Sequence, residues 1–277
     1  MAGDNVTTAP ELPSLNDLPQ TDTTQDLQAA GPRVRPYNAA TDRQALRSLF
    51  GNVYHSTYKY ADLTTIAFII WCRAYLDLAP KTCFVLDNGT ADQIDIVGYL
   101  AGTPSSRNFC KGFATVARTD IEATAAAPSR EEMRDPTKQG GAMDYLKSRS
   151  RYVAALDRPE SLVFDVAEDF LDDWPAHFHM AITPEWQGRG LGPDLVAAFT
   201  AEIRQQGVKG LFVAVPDKAA PAKKMYEKLE FGRLQVELDR GESGEMGVTA
   251  GTDRSRTVYY ILDLATDPNL DEAVVLE

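Results

Sequence analysis

The sequence predicts an α/β fold in which a mixed sheet is covered by helices on both faces. Segments with strand and helix periodicity alternate along most of the chain, and two adjacent pairs of strand-like segments are typical of antiparallel neighbours. A glycine-rich turn joins one apolar strand directly to a long amphipathic helix. With 277 residues, of which 44% are hydrophobic, the chain is long enough to bury a full-sized core.

The first half of the folded region is predicted to contain a strand, two helices and a hairpin. Residues 33–37 have the composition of a short strand, and residues 41–50 form an amphipathic helical pattern. Residues 61–78 are apolar on nearly all sides, which predicts a buried helix. The hairpin follows, with strands Thr82–Leu86 and Ile94–Ala101 and an Asp-Asn-Gly turn between them.

The second half begins with an irregular stretch. Residues 104–173 alternate polar helical fragments with Gly and Pro breaks, and an insertion of this length before the next strand predicts a lid over the acceptor site or an interface element. Apolar residues recur every four positions from Leu191 to Ile203, which predicts a helix that Gly207 ends. The other predicted elements are strands at 175–183, 211–215, 234–238 and 257–264 and a short helix at 221–229.

One domain, residues 33–264, is predicted between two tails. Residues 1–32 contain no Lys or Arg and few residues that could build a core, which predicts a flexible N-terminal tail. Residues 265–277 are acidic and are predicted to be a frayed C-terminal tail.

Composition and charge argue against several classes of protein. A formal net charge of −12 is unfavourable for binding the phosphate backbone of a nucleic acid, so we expect no nucleic-acid partner. The sequence has no apolar run long enough to cross a membrane and no secretory signal at its N-terminus. Cys72, Cys83 and Cys110 lack metal-ligand spacing, which predicts reduced thiols in the core, no metal, and a cytoplasmic or nuclear protein.

The glycine-rich turn, residues 187–192, has the character of an anion-binding loop. Glycines before a helix let an anion approach the free backbone N–H groups at the positive end of the helix dipole. The spacing excludes two nucleotide loops. A P-loop that begins at Gly188 needs a second glycine at position 193, followed by Lys-Ser or Lys-Thr, and position 193 is Pro. A dinucleotide-binding fingerprint that begins at Gly188 also needs glycine at position 193.

The order Gln-Gly-Arg-Gly-Leu-Gly in this turn resembles the pyrophosphate turn of the GNAT superfamily of acetyl-CoA-dependent acetyltransferases. A second stretch, residues 219–231, resembles the family's Asn-x-x-Ala-x-x-x-Tyr-[DE]-[KR]-x-Gly-Phe signature. Tyr226 is in register, whereas Ala219 replaces the usual Asn and Glu230 the usual Gly. The resemblance implies the GNAT fold, a mixed and mostly antiparallel central sheet flanked by helices.

A narrower resemblance covers residues 33–110 and 160–264. These segments are similar to the acetyltransferase-like domain that accompanies O-GlcNAcase catalytic domains, and to fungal glucosamine N-acetyltransferases. Many of those relatives carry Asp two positions after the second His of a Pro-Ala-His-x-His-x-Asp motif, where this chain has Ala181.

The resemblance implies a site for acetyl-CoA as co-substrate. Three roles follow for the residues that match the family. Tyr226 is implied as the proton donor to the leaving thiolate, and a backbone N–H of Met180–Ile182 as the group that polarises the thioester. The implied cofactor-binding residues are Met180, Ala181, Ile182, Gln187, Gly188, Arg189, Gly190, Leu191, Gly192 and Tyr226.

A general base must take a proton from the attacking ammonium. His177 and His179 alternate onto one face of the predicted strand, beside the cofactor motif, and both are candidates because imidazole has a suitable pKa. Asp172, Asp173 and Asp62 are the acidic alternatives.

The predicted function is transfer of an acetyl group from acetyl-CoA to a small primary amine, with an amino sugar such as glucosamine preferred by the family resemblance. The alternatives are protein lysine acetylation and a catalytically inactive acetyl-CoA or amino-sugar sensor, the latter suggested by Ala181, Ala219 and Glu230. A homodimer is compatible with the sequence, which does not demonstrate one.

Overall fold

A computed structural model of the chain describes residues 31–54, 61–90, 93–124, 152–154, 156–160, 169–234 and 257–265. The predicted N-terminal tail (except residues 31 and 32), most of the 104–173 insertion, the C-terminal tail beyond residue 265 and the strand prediction beyond Leu234 lie outside these residues.

The described strands form one seven-stranded sheet. Their order across the sheet is β1-β2-β3-β4-β5-β7-β6, and every neighbouring pair is antiparallel except β4 and β5, which are parallel. The mixed, mostly antiparallel sheet predicted from the sequence is therefore confirmed. The strands are β1 Arg33–Pro36, β2 Cys83–Asp87, β3 Ile96–Thr103, β4 Ala176–Ile182, β5 Gly210–Pro216, β6 Gly232–Leu234 and β7 Thr257–Asp263.

The described helices pack on both faces of this sheet, as predicted. They are α1 Arg43–Tyr54, α2 Ala61–Phe68, α3 Ala74–Leu78, α4 Ser106–Thr124, α5 Phe170–Asp173, α6 Leu191–Gln205 and α7 Ala220–Lys228. A π-helical segment, Ile69–Arg73, joins α2 to α3, so that the predicted 61–78 helix is continuous but not uniform. None of the described helices is long and apolar enough to cross a bilayer.

The core consists of two apolar clusters, one on each face of the sheet. The first cluster contains side chains from α1 to α4, and the second contains side chains from α6 and α7. Because successive strand residues point to opposite faces, Ala181 of β4 belongs to the first cluster and its neighbour Met180 packs against the second. The three cysteines are buried in the first cluster as free thiols.

One helix of the first cluster was not predicted. The sequence assigns residues 104–173 to an irregular insertion, but α4 is a regular helix of 19 residues at its start. Phe109, Phe113, Ala117 and Ile121 recur every four residues and are all buried. This periodicity was available in the sequence and marks α4 as part of the core.

A buried ion cluster joins β1, β2 and the start of α1. Arg35 donates to Asp42 through Nη1 at 2.7 Å and to Asp87 through Nε at 2.8 Å. Burial acts to raise the pKa of Asp42, but the hydrogen bonds from Arg35, the Asn38 N–H and Thr41, together with the charge of Arg35, outweigh it and lower the pKa below its ordinary value. The cluster thus holds the edge of the sheet against the first helix.

The C-terminal end of α7 shows the local structure at Glu230, where the signature that residues 219–231 resemble has Gly. Phe231 N–H donates to the Tyr226 carbonyl and Glu230 N–H to the Glu227 carbonyl, at 3.0 and 3.2 Å, which is the Schellman pattern. Glu230 stands at the left-handed position of this motif, with φ of 62°. The usual glycine is favoured there because it has no Cβ.

Replacing Glu230 with Gly should therefore stabilise the protein. We expect the free energy of unfolding to rise by about 1 kcal/mol, because the left-handed backbone no longer strains a side chain. Urea unfolding followed by circular dichroism measures it. The matched control is Lys228→Gly, two residues earlier on the exposed side of the helix, which should lose about 1 kcal/mol. A loss of stability in Glu230→Gly would contradict the strain.

Candidate functional site

The parallel strands β4 and β5 separate shortly after they meet. They pair at Ala176 with Leu211 and at His177 with Phe212, and beyond these two pairs β4 continues to Ile182 without a further partner residue in β5. At the paired end the strands are held closely. A Cβ on Gly210 would lie 2.2 Å from the carbonyl oxygen of Asp173, so only glycine fits there. We call the space between β4 and β5 beyond these two pairs the cleft.

The backbone of β4 presents polar groups to this cleft. Thr183, the residue after β4, donates its N–H to the Val97 carbonyl of β3 at 2.9 Å. This hydrogen bond continues the ladder in which Ile182 pairs with Gly98. Since N–H groups alternate in direction along an antiparallel ladder, those of Met180 and Ile182 point away from β3 and towards β5. Two backbone N–H groups are therefore available to a ligand that enters between the strands.

The glycine-rich turn lies at the open end of β4. A 3₁₀ turn, Pro184–Trp186, follows the strand, and Gln187 then donates its Nε2 to the Ile182 carbonyl at 2.7 Å. This hydrogen bond ties the start of the loop to the last residue of the strand. The loop ends where Leu191 begins α6, a helix of 15 residues whose N-terminus favours negative charge.

The three glycines of the turn serve two different purposes. Gly188 and Gly190 have φ of 74° and 84°, the left-handed region that favours glycine, and a Cβ at either position would have nothing within 4 Å. Gly192 lies inside α6, and a Cβ there would lie 2.6 Å from the sulfur of Met225. Gly192 therefore permits α7 to pack on the start of α6.

The one arginine of this loop rests on an aromatic ring. The guanidinium carbon of Arg189 lies 4.5 Å from the ring centroid of Trp186, and Trp186 in turn packs against the second apolar cluster. Such a cation–π contact restricts the arginine side chain. The loop thus combines free N–H groups, a helix N-terminus and a positioned cation, which is the chemistry that binds a phosphate or pyrophosphate.

Tyr226 lies on α7, on the face of the sheet that carries α6. Its side chain is 4% exposed, and its ring centroid lies 5.2 Å from that of Phe231, the residue that closes the Schellman motif. It also packs on Phe178 of β4 and on Tyr260 of β7, with centroid distances of 6.2 and 5.9 Å. Burial raises the pKa of Tyr226, so the phenol is protonated at neutral pH.

His177 lies on the other face of β4, and both of its ring nitrogens have partners. Its Nδ1 lies 2.6 Å from the hydroxyl of Ser106, and its Nε2 lies 2.7 Å from the hydroxyl of Tyr75. The Ser106 hydroxyl also donates its single proton to the Pro175 carbonyl at 2.7 Å. Nδ1 must therefore carry the proton that Ser106 accepts, and Nε2 accepts from Tyr75. Burial holds the pKa of His177 well below 6.5, which keeps this tautomer neutral.

His179 is next on the same face and differs from His177 in its contacts. Its ring lies against two aromatic side chains, Trp71 with centroids 4.6 Å apart and Tyr75 with centroids 5.6 Å apart. No group among the described residues hydrogen-bonds to its ring, and part of its surface is exposed. Burial lowers the pKa of His179 to about 4, so the imidazole is neutral at physiological pH.

The other predicted site residues occupy separate positions. Asp172 and Asp173 are exposed in the short helix α5, and Asp172 pairs with Arg107. Asp62 lies in the first turn of α2. Ala181 is buried opposite Tyr99 of β3 and contributes a methyl group to this face of the strand. No group of three or more potential metal ligands occurs within the described ranges.

Four side chains of the site were not singled out in the sequence. Trp71 and Tyr75 pack against the ring of His179. Ser106 hydrogen-bonds to His177, and the ring of Trp186 contacts the guanidinium of Arg189. Trp71 and Tyr75 are four residues apart in a helical segment, a spacing that places both on one face. Which strand residue that face meets depends on the packing of the helix, so the sequence held no signal for the pairing with His179.

Comparison with known proteins agrees with this architecture. Residues 172–238, which include β4, the glycine-rich turn and α7, match the family model described as FR47-like protein. The crystal structure of SsHAT is similar over 84% of this chain and 98% of its own, with 23% identity and a TM-score of 0.60. This similarity shows that the two proteins share a fold.

Two further solved structures match with lower TM-scores. An agmatine N-acetyltransferase matches over 84% of this chain and 99% of its own, with 17% identity and a TM-score of 0.48. The polyamine N acetyltransferase of Drosophila melanogaster also matches over 84% and 99%, with 15% identity and a TM-score of 0.44.

The two histidines of β4 should make the protein sensitive to mild acid. Their folded-state pKa values lie below 6.5, so protons bind preferentially to the unfolded chain and stability should fall as the pH drops from about 6.5 towards 4. The lowered pKa values of Asp42 and Asp87 add to this loss only below about pH 5, where these carboxylates begin to protonate in the unfolded chain, so the slope between pH 6.5 and 5 reports the histidines. Urea unfolding at several pH values measures the slope.

The comparison for this prediction is the double variant His177→Gln/His179→Gln. It lacks both titrating rings, and its stability should change less between pH 6.5 and 4 than that of the wild type. Equal slopes for the two proteins would show that the imidazoles are not the groups that take up protons on unfolding.

Proposed function

We propose that this chain is an acetyltransferase of the GNAT superfamily and transfers the acetyl group of acetyl-CoA to a primary amine. The observation that carries the proposal is the meeting of two features at the open end of β4, the cleft between β4 and β5 and the glycine-rich turn at the start of α6. The cleft suits an extended arm with amide groups, and the turn suits a pyrophosphate. Coenzyme A contains both.

The cofactor would lie along β4. The backbone N–H groups of the turn from Gln187 to Gly192 would hold the pyrophosphate, with Arg189 as the neutralising cation. The pantetheine arm would pair with the N–H groups of Met180 and Ile182, which face the cleft. Of the other assigned residues, Leu191 begins the first turn of α6. Ala181 packs into the first apolar cluster and would contribute only its backbone to the cofactor site.

The reaction would be direct attack. The neutral amine forms a bond to the thioester carbon, a backbone N–H of β4 stabilises the charge that develops on the carbonyl oxygen, and the carbon–sulfur bond then breaks. The departing thiolate requires a proton. Tyr226 is suited to provide it, because burial raises its pKa and keeps the hydroxyl protonated.

For the general base, the geometry favours His179 over His177. Both nitrogens of His177 are engaged with Ser106 and Tyr75, whereas the ring of His179 accepts no hydrogen bond from the described residues and is partly exposed. The pKa of about 4 leaves its lone pair free at neutral pH. It also makes the ring a weak base, so a proton taken from the amine would pass on to water.

The preferred acceptor is an amino sugar, with glucosamine as the first candidate. This preference rests on the resemblance of residues 33–110 and 160–264 to enzymes of amino-sugar metabolism. Purified protein should be incubated with acetyl-CoA and a panel containing glucosamine, polyamines and a lysine peptide, and CoA release recorded. Turnover of glucosamine is expected. Binding of acetyl-CoA without turnover of any amine would instead favour the sensor, and turnover of the peptide alone would favour a protein acetyltransferase.

Removing the Tyr226 hydroxyl tests the proposed proton donor. Tyr226→Phe should lower kcat by about 100-fold or more, because the thiolate then leaves without a positioned acid. The dissociation constant of acetyl-CoA, measured by calorimetry, should stay within about twofold, since the aromatic ring is retained.

Tyr260→Phe is the matched control for this prediction. Its ring lies 5.9 Å from that of Tyr226, but its hydroxyl donates to Glu227, so its loss should leave kcat close to the wild-type value. An unchanged kcat in Tyr226→Phe would remove this tyrosine from the mechanism.

A further inference from the structure

The π-helical segment Ile69–Arg73 places a tryptophan against the proposed base. Ala74 N–H donates to the Ile69 carbonyl, five residues back, so this turn is wider than an α-helical turn. π-Helical turns within α-helices are frequent at functional sites. Trp71 lies at the centre of the segment, and its ring centroid is 4.6 Å from that of His179, with an angle of 55° between the rings.

The exposure of Trp71 distinguishes it from its neighbours. Ile70 and Cys72 are completely buried, as expected in the middle of a core helix. Trp71 is half-buried, and so is His179, the side chain it meets. One turn further along, Tyr75 is fully buried and is held in place by its hydrogen bond to His177. The partly exposed side chains of Trp71 and His179 are therefore in contact, and the buried ring of Tyr75 packs against His179.

The same face of β4 continues with a small apolar side chain. The next residue on that face is Ala181, which lies opposite Tyr99 of β3. A carboxylate at position 181 would offer a partner for a cationic acceptor, and this chain has a methyl group. Three rings lie around His179, those of Trp71, Tyr75 and His177, with centroid distances of 4.6, 5.6 and 6.5 Å.

We propose that Trp71 forms the acceptor-binding wall and selects amines attached to a six-membered ring over open-chain amines. This inference rests on the proposed acetyl transfer and adds the feature that chooses its substrate. A flat indole can cover the C–H face of a ring and remove it from water without ordering rotatable bonds. A flexible polyamine loses more conformational entropy on binding and brings a second cation, for which this wall offers no carboxylate.

Steady-state kinetics of Trp71→Ala and Trp71→Phe with glucosamine and with agmatine test the selection. In Trp71→Ala, KM for glucosamine should rise about tenfold, a change equivalent to 1.4 kcal/mol, while KM for acetyl-CoA should stay within about twofold. Trp71→Phe keeps an aromatic face, so its KM for glucosamine should lie between those of the wild type and Trp71→Ala. The ratio of kcat/KM for glucosamine over agmatine should fall in the order wild type, Trp71→Phe, Trp71→Ala.

Trp186→Ala is the matched control, because Trp186 is also half-buried and also stacks on one functional side chain, Arg189. It should raise KM for acetyl-CoA and leave KM for glucosamine unchanged, the reverse of the Trp71 variants. A purely structural effect of either substitution would lower the melting temperature and affect both substrates alike.

Calorimetry keeps this inference separate from the proposed function. Glucosamine is titrated into protein saturated with CoA, where no reaction can occur, and Trp71→Ala should weaken its binding about tenfold. No acetylation of any amine by the wild type would defeat the proposed function. Acetylation with an unchanged glucosamine-to-agmatine ratio in Trp71→Ala, or equal glucosamine binding by wild type and variant, would overturn the role of Trp71 alone.

Discussion

The separation of β4 from β5 is the constraint on which the rest of the site depends. Backbone N–H and C=O groups inside a sheet are normally consumed by neighbouring strands. Here the two strands share two residue pairs and then diverge, so the end of β4 keeps polar groups that no neighbouring strand takes. Gly210 holds the closed end by allowing contact with Asp173, and the glycine-rich turn continues the open end.

The two faces of β4 provide two different environments for chemistry. On one face, Phe231 and the Schellman motif orient Tyr226, and burial keeps its hydroxyl protonated. On the other face, a chain of hydrogen bonds from Tyr75 through His177 to Ser106 ties α3, β4 and α4 together. Because strand side chains alternate, the proposed proton donor Tyr226 and the proposed base His179 lie on opposite faces of the sheet.

Much of the fold was predictable because its signals are local. The amphipathic period of α6, the hairpin of β2 and β3 and the apolar strands can each be recognised from neighbouring residues. The contact made at Gly192 could not be predicted, because the sulfur that a Cβ there would meet belongs to Met225, 33 residues later. The spacing of the glycines indicated an anion loop, but only packing shows that Gly192 serves the contact between two helices.

The sequence by itself determined most of the elements, with α4 and the π-helical segment as exceptions, and the loop and tyrosine that resemble those of acetyltransferases. Only the tertiary structure distinguished His177 from His179. Both are histidines on one strand face, and their difference comes from partners distant in the chain, Tyr75 and Ser106 for one and Trp71 for the other. Hydrogen bonding and burial set what an imidazole can do, and both depend on how distant elements pack.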